Sequence, residues 1–232
     1  MSHLPGSVGV SKLSVYDSTA PDGLHGGTPH MHLTCSEAYI VTAGRGHVQT
    51  LSGEGYRETP LATGTVAWFR PGTIHRLVNE GGLQLVVLMQ NSGLPEAGDA
   101  VLTFPEAVLN DLDAYRAAAA LPRIPEIAAA YRRRDLAVTG FLALRDAGTD
   151  AFEGFCRRAA EIVAPKLGDW RKRWEAGALD AALETGRQLD ALENGDVSHL
   201  AGGGIRVMSE PTDTGKHGMC GLLNTYINEG DK

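Results

Sequence analysis

Cysteine is scarce in this chain of 232 residues: Cys35, Cys156 and Cys220 are the whole complement. Three is an odd number, and no pair has the spacing of a metal knuckle. A disulfide framework and a thiolate zinc site are therefore not expected, and the thiols read as reduced, in a cytoplasmic protein. Cys35 falls between two candidate ligands, but a small buried apolar residue is the expected role. Long apolar runs are missing too. No stretch approaches a membrane span, and the opening Met-Ser-His-Leu-Pro-Gly has no charged region followed by an apolar core, so no signal peptide is expected. Nor is positive charge in excess. The net charge is −7, with 5 basic and 8 acidic residues in 1–103 and 16 and 20 in 104–232. Neither half is a basic nucleic-acid module, and the runs Arg132-Arg133-Arg134 and Arg171-Lys172-Arg173, set among acidic residues, read as solvated helix faces.

Against those absences stand two short, histidine-bearing stretches: His30-x-His32-x4-Glu37 followed by Gly44, and Gly72-x2-His75-x3-Asn79. In a strand, alternate side chains share a face, so His30 and His32 project together while Met31 points away. Glu37 begins a neighbouring strand, read as ending at Gly44 and Gly46 in a tight reversal, and His75 arrives from a distant one. A His-x-His pair alone is weak evidence, since two such rings often lie solvated on a strand. Three imidazoles and a carboxylate together suit one divalent first-row ion (Fe, Mn, Ni or Zn) and leave coordination positions for substrate.

These stretches resemble the two signature motifs of the cupin superfamily, small β-barrels that hold a metal near the barrel centre. By that resemblance His30, His32, Glu37 and His75 are the metal ligands, and Gly44, Gly64, Gly72 and Asn79 are fixed points of the motifs. Two positions depart from the pattern: Leu24 stands where the first motif opens with glycine, and Arg70 where the second has proline, with Pro71 one place later. The resemblance spans roughly 25–92 and is silent on the rest of the chain. It implies a homodimer paired through sheet edges.

Strands are expected at 7–16, 37–42, 46–51, 65–69, 75–79 and 83–90, separated by Gly-rich turns, with 83–89 a central strand buried on both faces. The fold class is accordingly an antiparallel, jelly-roll-like cupin barrel over 1–102, followed by a helical region over 103–200. Thr103-Phe-Pro-Glu106 and Asp150-Ala-Phe-Glu153 read as capping boxes, residues 125–146 as helical, and the helix carrying Leu179, Leu183 and Leu189 as stopping at Asn194-Gly195. A tail over 201–232 offers strands at 205–208 and 219–227, returning to the barrel or to a partner and joined by the turn 210–215. His217 in it is read as a surface histidine rather than an acid/base.

Alternation selects the cavity lining. Tyr39 and Val41 share the face of Glu37, and Leu77 and Asn79 that of His75. Tyr39 is the candidate proton donor or relay, weighed equally against a merely packed tyrosine. One of Trp68 and Phe69 should wall the pocket while the other packs outward, and Arg45, Arg70 and Arg76 receive no catalytic role. The expected function is metal-dependent chemistry on a small organic substrate that would displace water and chelate the metal, with Glu37 shuttling a proton. The leading expectation is a dioxygenase-type oxidoreductase using iron or a similar ion. Alternatives are an isomerase or cyclase, and a ligand-sensing protein that does no chemistry; no nucleic-acid or membrane partner is expected.

Overall fold

The computed structural model describes residues 3–122, 124, 126–209 and 215–228. The first strands are β1 (Gly9–Val15), β2 (His30–His32), β3 (Glu37–Ser52), β4 (Gly55–Ala62), β5 (Val66–Phe69), β6 (Ile74–Met89) and β7 (Ala100–Leu102). Helices follow: α1 (Glu106–Leu109), α2 (Leu112–Ala119), α3 (Ile127–Ala147), α4 (Thr149–Val163), α5 (Leu167–Trp174) and α6 (Asp180–Glu193). The chain closes with β8 (Met208–Ser209), β9 (Lys216–His217), β10 (Gly221–Thr225) and β11 (Ile227–Asn228). It is an antiparallel barrel followed by helices.

The main sheet runs β4-β3-β6-β1-β10-β9, with β2 joined to β6 and β7, and β5 to β3. The tail strand β10 pairs antiparallel with β1, Leu13 opposite Leu223, so the last strands lie beside the first. Residues 210–214, most of the turn expected in that tail, lie outside the described residues.

Two long strands replace four short ones. Gly44 and Gly46 do not end a strand, because β3 runs on through them with register shifts between Val41 and Gly46 against β6. The partner strand carries Glu80-Gly81-Gly82 in the same way, and Asn79 Oδ1 accepts from the Gly81 and Leu83 amides at 3.0 and 3.1 Å, holding the irregular segment in shape. A glycine turn signal marks either a reversal or a bulge, and here the continuous cross-strand pairing favours the bulge. In β6, Leu83–Met89 alternates between buried and more exposed positions. The expectation that 83–89 is buried on both faces is therefore not met; it is 74–79, in the strand's first half, that is buried throughout.

Both capping boxes fail as caps. The α1 cap is Pro105, with no side-chain hydrogen bond, and Thr103 Oγ1 instead donates to the carbonyls of Pro29 and Ala137. At α4 the cap is Gly148. The hydroxyl of Thr103 is worth more tying barrel to helix inside the core than satisfying a helix end open to water.

The core has two parts. One fills the barrel with Leu13, Val15, Tyr39, Val41, Leu61, Leu77, Leu85 and Cys220. The other lies between the barrel wall and the helices: Met31, Leu51, Ile74 and Leu102 meet Phe104, Phe141, Phe155 and Val163. Alternation along β2 and β6 explains the division, since Met31 and Ile74 face the helices while His30, His32 and His75 face inward. Arg134 corrects the reading of the first arginine run as solvated. It is 1 % exposed and spends its guanidinium on the carbonyls of Ser18 and Thr19, fastening α3 to the loop before β2. No helix among the described residues is long and apolar enough to cross a membrane.

Candidate metal centre

Strand pairing brings the donors together. His30 stands directly opposite His75 in the β2–β6 register, with ring centroids 4.2 Å apart, and His32 lies two residues along on the same face. Glu37 opens β3 after the short turn 33–36. The result is a group in which one ligand atom from each of His30, His32, Glu37 and His75 lies within 4.8 Å of the others, all four residues being buried. An ion with ligand distances of roughly 2.0–2.2 Å spans up to about 4.4 Å between opposite donors, so small side-chain adjustments would close this set around one cation.

Hydrogen bonds on the far side of the rings settle which nitrogen faces inward. His30 Nδ1 lies 2.8 Å from the Thr28 carbonyl and His75 Nδ1 3.2 Å from that of Thr73. His32 Nδ1 lies 3.3 Å from a carboxylate oxygen of Asp99. Each acceptor requires a proton on Nδ1, which leaves Nε2 as the inward-facing nitrogen. Inside the cluster, Glu37 Oε2 is 3.0 Å from His75 Nε2 and 3.4 Å from His32 Nε2. Yet Glu37 Oε2 and His75 Nε2 are buried with no well-aligned hydrogen bond. Buried polar atoms aimed at a common point and left unsatisfied by protein suit a shared cation. The donor set fits a divalent transition metal.

The ionisation pattern is mixed: His30 and Glu37 already hold their coordinating forms, while His32 must release a proton to coordinate. Burial, with His75 and His32 alongside, holds the His30 imidazole well below its usual pKa, in the neutral form that coordinates. For Glu37 burial opposes the charged form, but His75 and His32 overcome it and hold the carboxyl far below its usual range. Burial also works against charge on His32, while Asp99 and Glu37 outweigh it and raise its pKa to about 9.

Residues 18–90 match the family model described as a cupin domain. The chain contains a cupin domain. No curated protein sequence matches the chain. Among solved structures, Streptomyces Pac13, described as a nucleoside dehydratase and solved with uridine, is 17% identical over 43% of this chain and 70% of its own, with a TM-score of 0.33. CapF, a capsular polysaccharide assembling protein from Staphylococcus aureus, is 21% identical over 35% of this chain and 21% of its own, with a TM-score of 0.25. Likeness at this level carries no substrate across.

Around the cupin cluster, Tyr39 is fully buried, and its hydroxyl makes no well-aligned hydrogen bond, although Glu37 lies close enough to act on it. Burial and the charge of Glu37 push the phenol pKa well above 10, so it keeps its proton. Phe69 is the inward member of its pair, with its ring 4.1 Å from His75 and 5.3 Å from Tyr39, while Trp68 is 73% exposed on the outer face. Arg45 and Arg70 are exposed. Arg76, on the face away from the cluster, is buried and grips the Asp22 carboxylate and the Gly27 carbonyl, which fixes the Gly-rich loop leading to β2. His217 stands half-buried in β9, opposite Leu222, and Cys35 lies in the core beneath the helices; neither belongs to the four-donor group.

Two contributors escaped the sequence reading. Asp99 lies beyond the motif region in a Gly-Asp turn signal, where nothing in the spacing links it to His32. Cys220 comes from the tail and packs inside the barrel among residues that include Tyr39.

Proposed function

We propose that this cupin is a metal-dependent enzyme acting on a small organic substrate, with His30, His32, Glu37 and His75 as the ligands and a dioxygenase-type oxidation as its reaction. The observation that carries the reading is the convergence of three Nε2 atoms and one carboxylate, each imidazole fixed from behind by an acceptor on Nδ1. When bound, a divalent ion such as iron would supply Lewis acidity at the substrate's oxygens and access to dioxygen.

The chain's own residues do the rest. His30, His32 and His75 orient the site, and Glu37, ionised and buried, is placed to accept a proton from an enol-type substrate. Phe69, Val41 and Leu77 exclude water and favour an organic skeleton. Tyr39 supports a second reading, an isomerase or cyclase: a protonated phenol beside a carboxylate on the same face makes an acid and base pair for moving a proton along a substrate.

Elemental analysis of protein purified without chelators, repeated on His75→Ala, tests the metal. One transition metal per chain is expected in the parent, with strongly reduced retention in the variant; equal content would sink the assignment. Oxygen uptake by metal-loaded protein with enolic substrates supports the dioxygenase, and turnover without oxygen supports the second reading. Homodimer formation through sheet edges and a cytoplasmic location belong to the same proposal, the first tested by light scattering.

A further inference from the structure

We propose that Asp99 is a positioning residue of the metal centre, through which the helical region braces His32 and sets its separation from Glu37. The inference rests on the metal-binding reading above.

His30 and His75 each place Nδ1 against the carbonyl two residues earlier, on Thr28 and Thr73. His32 has no such option. The residue two before it is His30, which sits in the middle strand with ladder partners on both sides, His75 and Leu102. A carboxylate from 67 positions away takes the role instead. Asp99 is fully buried, which an anion tolerates only when its lone pairs are filled.

Its two oxygens divide the work. Oδ1 accepts from the Leu33 amide at 3.2 Å, the Thr34 amide at 2.9 Å and the Thr34 hydroxyl at 2.8 Å. Oδ2 accepts from the Cys35 amide at 3.2 Å and faces His32 Nδ1 at 3.3 Å. The turn knotted by these amides is the link between His32 and Glu37. One side chain thus governs the ring angle of one donor and the spacing of two. A carboxylate acceptor also makes the opposite nitrogen more basic than a carbonyl does, so His32 is the strongest imidazole donor of the three.

The backbone just before Asp99 is held in turn by helical residues. Lys166 Nζ donates to the Gly98 carbonyl at 3.2 Å, and Trp170 Nε1 in α5 donates to the Ala97 carbonyl at 3.3 Å. A chain of contacts therefore runs from α5 through 97–99 to His32.

Cobalt(II) titration of the metal-free protein, followed by its visible absorption, tests the proposal. Asp99→Asn puts an N–H where His32 needs an acceptor, and the cobalt Kd should rise about 10- to 100-fold. On a His32→Ala background the same change should have no further effect, since its target is gone. Thr34→Val, which removes only the hydroxyl bond to Asp99 and keeps the three amide bonds that hold the turn, should lower the melting temperature slightly and leave the Kd within about twofold. An unchanged Kd in Asp99→Asn, or an equal loss on both backgrounds, overturns the role of Asp99 and leaves the metal reading standing. A parent that takes up no cobalt overturns both. Should Asp99→Asn fail to fold, nitrogen NMR of the zinc-loaded parent decides: a slowly exchanging proton on His32 Nδ1, exchanging faster in Trp170→Phe, supports the proposal, and a proton absent from Nδ1 overturns it.

Discussion

Tyr39 pairs two properties that seldom occur together, complete burial and a hydroxyl without a well-aligned hydrogen bond. A group that contributed only packing would be as well served by phenylalanine, which avoids roughly 1–3 kcal/mol of unsatisfied polar burial. Tyr39→Phe should therefore melt at the parent's temperature or higher while kcat falls by about 10²-fold or more, the scale of a lost general acid. Unchanged turnover would mean that the ring merely packs. Asp22 shows a different economy at the same scale. Its carboxylate faces a fully buried Arg76, so Asp22→Ala strands a cation in the core and should cost about 3–5 kcal/mol by urea denaturation. Burial works against the Asp22 charge, but Arg76 more than compensates and holds its pKa below 3.8. The unfolded chain thus takes up this proton first as pH falls. The pair's stabilisation should be complete above about pH 4–5 and disappear as pH drops through the lowered folded value, and acid titration of Asp22→Ala should lack that component.

At the scale of elements, the bulge in the β3–β6 pairing shapes the two strands that carry Glu37 and His75. Gly44 has φ +71°, and a Cβ there would lie 2.2 Å from the Gly82 carbonyl oxygen. Two bulged strands pass closer at this point than any side chain allows. Gly44→Ala should cost more than about 2 kcal/mol and lower metal retention as well, because Glu37, opposite Met89, and His75, opposite Thr50, lie at opposite ends of the pairing and the bulge shapes the strands between them. A variant with parent-like stability and metal content would show that the bulge is incidental. The alternation that separates Met31 from its flanking histidines needed no such irregularity, and it could be read directly. The bulges could not: Ala43-Gly44-Arg45-Gly46 carries the same local signal whether the chain reverses or runs on, and only pairing with a strand some forty residues away decides.

For the whole molecule, the core between barrel and helices matters most. Phe141, fully buried in α3, packs in the same cluster as Met31 and Ile74, next to the donors on both β2 and β6. Phe141→Ala should cost about 3–5 kcal/mol and lower the melting temperature of barrel and helices together, seen as one transition by tryptophan fluorescence and by circular dichroism. Two separated transitions would instead show the helices unfolding as a unit of their own.

The candidate donors within each motif, the strand alternation that aims them and the succession of barrel and helices were written in local order, because two-residue and 3.6-residue periods and motif spacing are properties of neighbouring residues. Tertiary structure alone decided that β3 and β6 are each continuous, that Arg134 is buried, that the tail lies against β1, and that Asp99 stands behind His32. Each of these depends on which distant segment supplies a missing hydrogen-bond partner. Short-range pattern does not encode that choice; it follows from the requirement that every buried polar group be satisfied at once.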